Sequence, residues 1–319
     1  MDTQNEQKIP LVAVVGPTAS GKSRLAVELA IRFHGEIISA DSMQIYKGMA
    51  IGTAKPTEEE MRGIPHHLID FADLSQPFSV ADYVSLAKAC IEQIHARGKL
   101  PILAGGTGLY VRSLLHNVQF SESDKDEVLR RELKARAEQE GVQSLVDELR
   151  QFDPESAERI HPNNVGRVIR AIEIYRTTGV TMTQQLMESH SQPSPYHACV
   201  IGLDFADRQI LYDRINARVD EMLKAGLVDE AREVLAQPGS KTALQAIGYK
   251  ELLPYFNGEI TLPQAVEHIK QETRHYAKRQ LTWFRRDKEI YWISADACGG
   301  FDAAVNLAAN KIAEFPYSE

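Results

Sequence analysis

The chain has 319 residues, enough for one large domain or two ordinary ones, and its 43% hydrophobic and 25% charged content is that of a soluble globular protein. Cys90, Cys199 and Cys298 stand far apart, which argues against a disulfide framework and a paired-cysteine zinc site and fits a reducing cytoplasm. The polar Met1–Lys8 segment is not a signal peptide, no apolar run approaches the ~20 residues of a membrane span, and a net charge of −8 weighs against nucleic acid unless basic residues are gathered locally.

In chain order, Leu11–Val15 is a short β-branched run suited to a buried parallel strand. Gly16-Pro-Thr-Ala-Ser-Gly21-Lys22-Ser23 follows and fits the phosphate-binding pattern G-x-x-x-x-G-K-[ST]. Ser23–Arg32 then carries helical periodicity through Leu25, Leu29 and Arg32. Strand, glycine-rich loop and helix together let backbone N–H groups and a helix N-terminus hold phosphate, with Lys22 as a point charge and the Ser23 hydroxyl for Mg²⁺. The motif predicts a bound di- or triphosphate and leaves its chemistry open.

A second strand is expected over Gly35–Asp41 and another over His67–Asp70. Ser79 caps a helix that runs to Arg97 and ends at Gly98, and Leu100–Ala104 reads as a buried strand entering Gly105-Gly106-Thr107-Gly108. This alternation predicts an α/β fold: a parallel sheet flanked by helices, like that of the phosphate-loop nucleotide-binding proteins. Near residue 118 the pattern becomes helical and highly charged, predicting an all-helical insertion over residues 118–200 between core segments 1–117 and 201–319. Ser191–Pro195 reads as a linker, Ala198–Asp204 as a returning strand, Gln209–Leu223 as a helix, Lys288–Ile293 as the last strand and Phe301–Phe315 as the last helix.

Asp41 falls at the carboxyl edge of the sheet, where open α/β sheets bind ligands, and can serve as general base, magnesium ligand or helix cap. The glycines around Thr107 either bring backbone and a hydroxyl to the same edge or make a tight turn. A nucleotide hydrolase should end an apolar strand in Asp for Mg²⁺, but the strand ending at Ala104 runs into glycine, and Leu203-Asp204 is a weaker candidate. His66 and His67 point to opposite faces of a strand and make poor joint metal ligands. Arg274–Lys288 is strongly basic with interspersed aromatics, and reads either as a solvated helix face or as a phosphate-binding surface.

Taken together, these segments resemble the tRNA dimethylallyltransferase (tRNA isopentenyltransferase) family. The likeness rests on GPTASGKS from Gly16, ISADSMQIYKGM from Ile38, IGTAKPT from Ile51, HHLID from His66, AGGTGLY from Ala104, NNVGRVIRAIEI from Asn163, AIGYKE from Ala246 and AKRQLTWFRRD from Ala277, in family order through nearly the whole chain. Gly166 departs from the Gln that such enzymes often carry there. The resemblance implies transfer of a dimethylallyl group from dimethylallyl diphosphate to N6 of adenosine 37, beside the anticodon of a tRNA, with diphosphate leaving. It implies a cytoplasmic monomer that uses Mg²⁺, grips the anticodon stem-loop and has no membrane partner. By residue matching, Asp41, Thr107 and Arg218 would be catalytic, with Asp41 as base. Gly16, Pro17, Thr18, Ala19, Ser20, Gly21, Lys22 and Ser23 would hold the diphosphate, and Ser23 the metal. Contacts to tRNA would come from Asp41, Ser42, Met43 and Gln44; Thr107; Gly166, Arg167 and Arg170; Gln245, Ala246, Ile247, Gly248, Tyr249 and Lys250; and Lys278, Arg279, Gln280, Leu281, Thr282, Trp283, Phe284 and Arg285. The alternatives are a small-molecule kinase using the loop for ATP, an adenylate isopentenyltransferase acting on AMP, and a nucleotide-dependent RNA-binding switch without catalysis.

Overall fold

The computed structural model describes residues 8–120, 126–237 and 245–315. Six parallel strands form one sheet: β1 Ile9–Val15, β2 Gly35–Ser39, β3 His66–His67, β4 Leu100–Gly105, β5 Tyr196–Asp204 and β6 Tyr291–Ser294, in the order β3-β2-β4-β1-β5-β6. Leu11–Val15 is wholly buried, as a central strand covered on both faces must be. Pairing of Val15 with Gly105 and Gly202, and of Ser39 with Ala104, aligns the carboxyl ends of four strands. Everything that follows those strands therefore opens at one edge.

Helix α1, Lys22–Arg32, packs Leu25 and Leu29 on Val12, Val14, Ile37, Ile102 and Ile201, with the last helix, Phe301–Ala313, beside it. Helix α2, Glu58–Met61, is one short turn with a Thr57–Glu60 capping box. Ser79 and Asp82 form the capping box of α3, Val80–Ala96, and Gly98 at φ 69° ends it, as the sequence predicts. The chain runs outward from β1 to β2 and β3 and back from β3 to β4, so right-handed crossovers put α1 and α3 on opposite faces. Helix α4, Gly108–Leu115, leaves β4, and its Tyr110 stacks on Tyr83 with ring centroids 4.0 Å apart.

The strand expected over 67–70 stops at His67, because Leu68 and Asp70 adopt left-handed φ of 59° and 56° that no strand accommodates. His66 and His67 serve separate partners: His66 Nδ1 lies 2.8 Å from Ile64 O and His67 Nε2 2.7 Å from Glu36. Glu36, buried in β2, also binds Arg97 at 2.7 Å and Lys99 at 2.9 Å. Burial opposes its charge, but the three cationic or donor partners win and hold its pKa at about 2.

The described residues divide into two units, one up to residue 115 and from 195 onward, the other spanning residues 116–194. The division differs from the expected 118–200 mainly at its second end. There β5 begins at Tyr196 and pairs with Ile9, and the Ile9 amide donates to Pro195 O at 2.9 Å. The second unit contains helices α5 Glu127–Glu140, α6 Val142–Phe152, α7 Pro154–Arg159, α8 Val165–Thr178 and α9 Met182–Ser191, with no strand among its described residues. Leu133, Leu145, Leu149, Val168 and Ile172 give it its own core. Glu173, fully buried, is satisfied there by Arg130 (two bonds of 2.8 Å) and by Arg170 at 2.6 Å. Back in the first unit, α10 Arg208–Lys224, α11 Leu227–Ala236, a 3-10 turn at Lys250–Leu252, α12 Leu253–Phe256 and α13 Leu262–Phe284 build a further apolar cluster, and Phe301–Ala313 is α14.

Candidate active site

At the carboxyl edge of the sheet the first unit encloses a cavity of about 300 Å³. One wall is the phosphate loop. Ala19 (φ 61°) and Gly21 (φ 92°) take left-handed conformations that curl the backbone into a concave row, and α1 begins with no side-chain cap on its first-turn N–H groups. Those amides are left for an anion. Thr18, Ala19, Lys22 and Ser23 line the cavity. Lys22 Nζ donates to Pro17 O at 3.2 Å; burial and the neighbouring Arg218 charge lower its pKa to about 8, and Asp41 offsets part of that.

Arg218 comes from α10, within 3.5 Å of Thr18 Oγ1, and burial holds it below the ordinary arginine range against the pull of Asp41. One turn earlier Arg214 Nε donates to Ala19 O at 2.9 Å and braces the loop. The i, i+4 spacing of Arg214 and Arg218 on one helix face was the readable signal for this second arginine. Ile215, Val219 and Met222 from the same helix, with Ile247 and Ile269, give the cavity an apolar part.

Asp41 lines the same cavity. Its Oδ1 accepts the Met43 amide at 2.9 Å and the Gln44 amide at 3.4 Å, closing a turn after β2. Oδ2 accepts no hydrogen bond from the described residues. The cap reading and the chemical reading of Asp41 are thus compatible, one per oxygen. Thr107 Oγ1 accepts the Ser42 amide at 3.0 Å, fastening the two loops together. Gly105 is required there: a Cβ on it would lie 2.2 Å from Ala40 O. Tyr276 of α13, which the sequence did not single out, also lines the cavity. Burial and the Asp41 charge push its phenol above the ordinary range, against the opposing pull of Thr107, Arg279 and Gln280 beside it, so it stays protonated.

Helix α13 sorts the basic segment by its period. Ala277, Gln280, Leu281 and Phe284 form a buried stripe, whereas Lys278, Arg279, Thr282 and Arg285 are exposed. Leu281 and Phe284 are therefore corrected from tRNA contacts to internal packing, whereas Gln280, though buried, lines the cavity. Gln280 accepts the Thr18 amide at 2.8 Å and donates to Gly106 O at 3.0 Å, tying the phosphate loop to the second glycine loop. Trp283 is half-buried on Gly108, where a Cβ would lie 2.1 Å from its ring. Tyr249 is likewise corrected: it is fully buried, with its hydroxyl on Glu230 at 2.7 Å. Gln245, Ala246, Ile247, Gly248 and Lys250 around it do line the cavity. Gln44 lines it too, but its carboxamide is committed to Ser39, Thr53 and Ala54. Arg285 is paired with Asp204, whose other oxygen accepts the Phe205 amide, so Asp204 is no open metal ligand. Gly166 and Arg167 lie exposed on α8 of the second unit, while Arg170 there is bound to Glu173.

A phosphate-loop motif, a carboxylate whose Oδ2 accepts no hydrogen bond from the described residues and a partly apolar cavity at the edge of a parallel sheet define the site of a phosphate-loop protein. The family model "IPP transferase" matches residues 44–287. A tRNA dimethylallyltransferase from Caldanaerobacter subterraneus is 51% identical over 90% of this chain and 92% of its own, and one from Halalkalibacterium halodurans 52% identical over 96% and 99%. The crystal structure of a tRNA isopentenylpyrophosphate transferase from Bacillus halodurans superposes with a TM-score of 0.71 at 48% identity, covering 96% of this chain and 98% of that one. A eukaryotic dimethylallyltransferase acting on tRNA gives 0.80 at 29% identity, covering 97% and 81%. The chain belongs to the IPP transferase family, and its activity is prenyl transfer to tRNA. No helix among the described residues is long and apolar enough to cross a membrane.

Proposed function

We propose that the donor is dimethylallyl diphosphate and the acceptor N6 of adenosine 37 in the anticodon stem-loop. The observation that supports this reading is that Lys22, Arg218 and Asp41 line one cavity together with apolar side chains, close enough for their charges to act on one another. The diphosphate sits on the amides of residues 16–23, with Lys22 and Arg218 against its charge. The dimethylallyl chain lies past Thr18 and Ala19 toward Ile215 and Val219. The target base leaves its stack and enters beside Asp41. Asp41 Oδ2 takes a proton from N6 as the nitrogen attacks C1 of the prenyl group. The C1–O bond breaks and its electron pair leaves on the diphosphate, where the cations and loop amides stabilise the growing charge. Thr107 and Tyr276 keep the Asp41 loop and the base in line.

The donor chemistry fits magnesium: Ser23, with a hard hydroxyl oxygen, lines the cavity beside Lys22 of the same loop. Such an ion would be held by Ser23, diphosphate oxygens and water, and would neutralise the leaving group. The exposed Lys278, Arg279 and Arg167 serve the RNA backbone, and the enzyme works as a cytoplasmic monomer. Incubation with labelled dimethylallyl diphosphate and either tRNA or AMP tests the reading. Label should enter tRNA at N6 of adenosine 37 and depend on magnesium. Label in AMP and none in tRNA would sink it.

A further inference from the structure

Glu230 of α11 lies outside the machinery described above, yet it makes four hydrogen bonds. Its Oε2 accepts the amides of Ala50 (2.9 Å) and Ile51 (2.7 Å), and its Oε1 accepts the Gly52 amide (2.8 Å) and the Tyr249 hydroxyl (2.7 Å). Three successive backbone N–H groups thus converge on one carboxylate. A surface carboxylate that merely capped a turn would not also recruit a buried tyrosine from another segment. Gly52 fits only because it lacks a side chain: a Cβ there would lie 2.6 Å from the Tyr249 ring. The far end of the same loop is fastened by Gln44, whose Nε2 donates to Thr53 O (3.1 Å) and Ala54 O (3.0 Å). Gly52, Thr53 and Ala54 line the cavity between those two anchors, on the same wall as Met43 and Gln44, next to Asp41.

We propose that Glu230 is a positioning residue: it holds the 50–54 loop as the acceptor-side wall of the cavity and thereby sets how the tRNA adenosine is presented to Asp41. The inference rests on the reading that the base enters beside Asp41. Charge and shape both matter in this role. A carboxylate can accept from all four donors, whereas a carboxamide turns one oxygen into a donor that faces N–H groups already pointing at it.

The test is steady-state kinetics of Glu230→Gln and Tyr249→Phe with each substrate varied in turn, alongside thermal unfolding. Glu230→Gln should raise KM for tRNA by ~10-fold or more and lower kcat, leaving KM for dimethylallyl diphosphate within about 2-fold. Tyr249→Phe removes one of the four donors and should move the same constants in the same direction by less. If Glu230→Gln does not fold, Tyr249→Phe read in the same way decides. Lowered thermal stability with an unchanged KM for tRNA would reduce Glu230 to a structural clamp. A rise confined to KM for the diphosphate would assign the loop to the donor side. Either result overturns the proposal while leaving transfer to tRNA intact. A parent enzyme that labels no tRNA would instead bring down the acceptor reading itself, and this assignment with it.

Discussion

At Asp41 the two carboxylate oxygens have separate duties, so Asp41→Asn keeps the Oδ1 bonds to Met43 and Gln44 and loses only the proton acceptor. The variant should fold and bind dimethylallyl diphosphate normally while kcat drops by ~10²–10⁴-fold, the usual worth of a general base. Retention of most turnover would leave Asp41 as a turn residue alone. Lys22 carries a pH dependence of its own. With its pKa lowered to about 8, the free enzyme loses this charge as pH rises through 8, so affinity for the diphosphate should hold near pH 7 and decline toward pH 10. Lys22→Ala should bind more weakly at pH 7 and converge on the parent at pH 10, a convergence that calorimetry across the range would reveal or rule out.

Among the elements, β2 and β3 are joined by Glu36. Its folded pKa of about 2 lies below that of an unfolded Glu, so the pairing stabilises the fold fully above pH ~4.5 and is lost as pH falls toward 2. Glu36→Gln should cost ~1–3 kcal/mol near neutral pH, a figure kept low because Arg97 and Lys99 remain partly in solvent, and the difference should shrink in acid. Denaturant melts at pH 7 and pH 3 would show whether the gap closes. Most elements were legible because their signals are local: the β-branched run before Gly16, the Ser79 cap, the glycine that ends α3. The end of the strand at His67 was not, since nothing in Leu68 or Asp70 announces a left-handed backbone. In the site, the phosphate loop, Asp41 and Thr107 lie on sheet-edge loops that the strand pattern locates. The roles of Glu230, Tyr276 and Gln280 depend on segments far apart in sequence meeting in space. The burial of Gln280 was not legible because a polar residue amid basic ones reads as surface, although its companions on the helical repeat, Ala277, Leu281 and Phe284, mark the buried side of α13.

At the scale of the whole molecule, each unit has a core of its own, which makes the insertion separable. A chain with residues 116–194 replaced by a short Gly/Ser linker should fold and bind dimethylallyl diphosphate by calorimetry but fail to retain the anticodon stem-loop on a filter; parental RNA affinity would give the helices another purpose. The acidic chain should still depend on salt for RNA, through Lys278 and Arg279, which are exposed on one face of α13. Replacing both by Ala should flatten log K against log salt by roughly 0.7–0.9 for each phosphate no longer neutralised, and Arg285→Ala, whose cation is already paired with Asp204, should do less.

The pairing of β1 with β5 also has a consequence during synthesis. β1 is the third strand from β6 in the finished sheet, yet its neighbour β5 begins about ninety residues after β4 ends. On the ribosome, at roughly 5–20 residues per second, β1 and β4 can pair while one side of β1 stays open for several seconds, until Tyr196–Asp204 emerges. That open side belongs to the apolar run Leu11–Val15, the kind of edge on which other nascent strands add. The chain should therefore be most vulnerable to misassembly while the insertion is being translated and until β5 is released. Arrested nascent chains ending near residue 190 should crosslink to a chaperone through residues 9–15, and chains ending some 40 residues beyond Asp204, enough to clear the exit tunnel, should not.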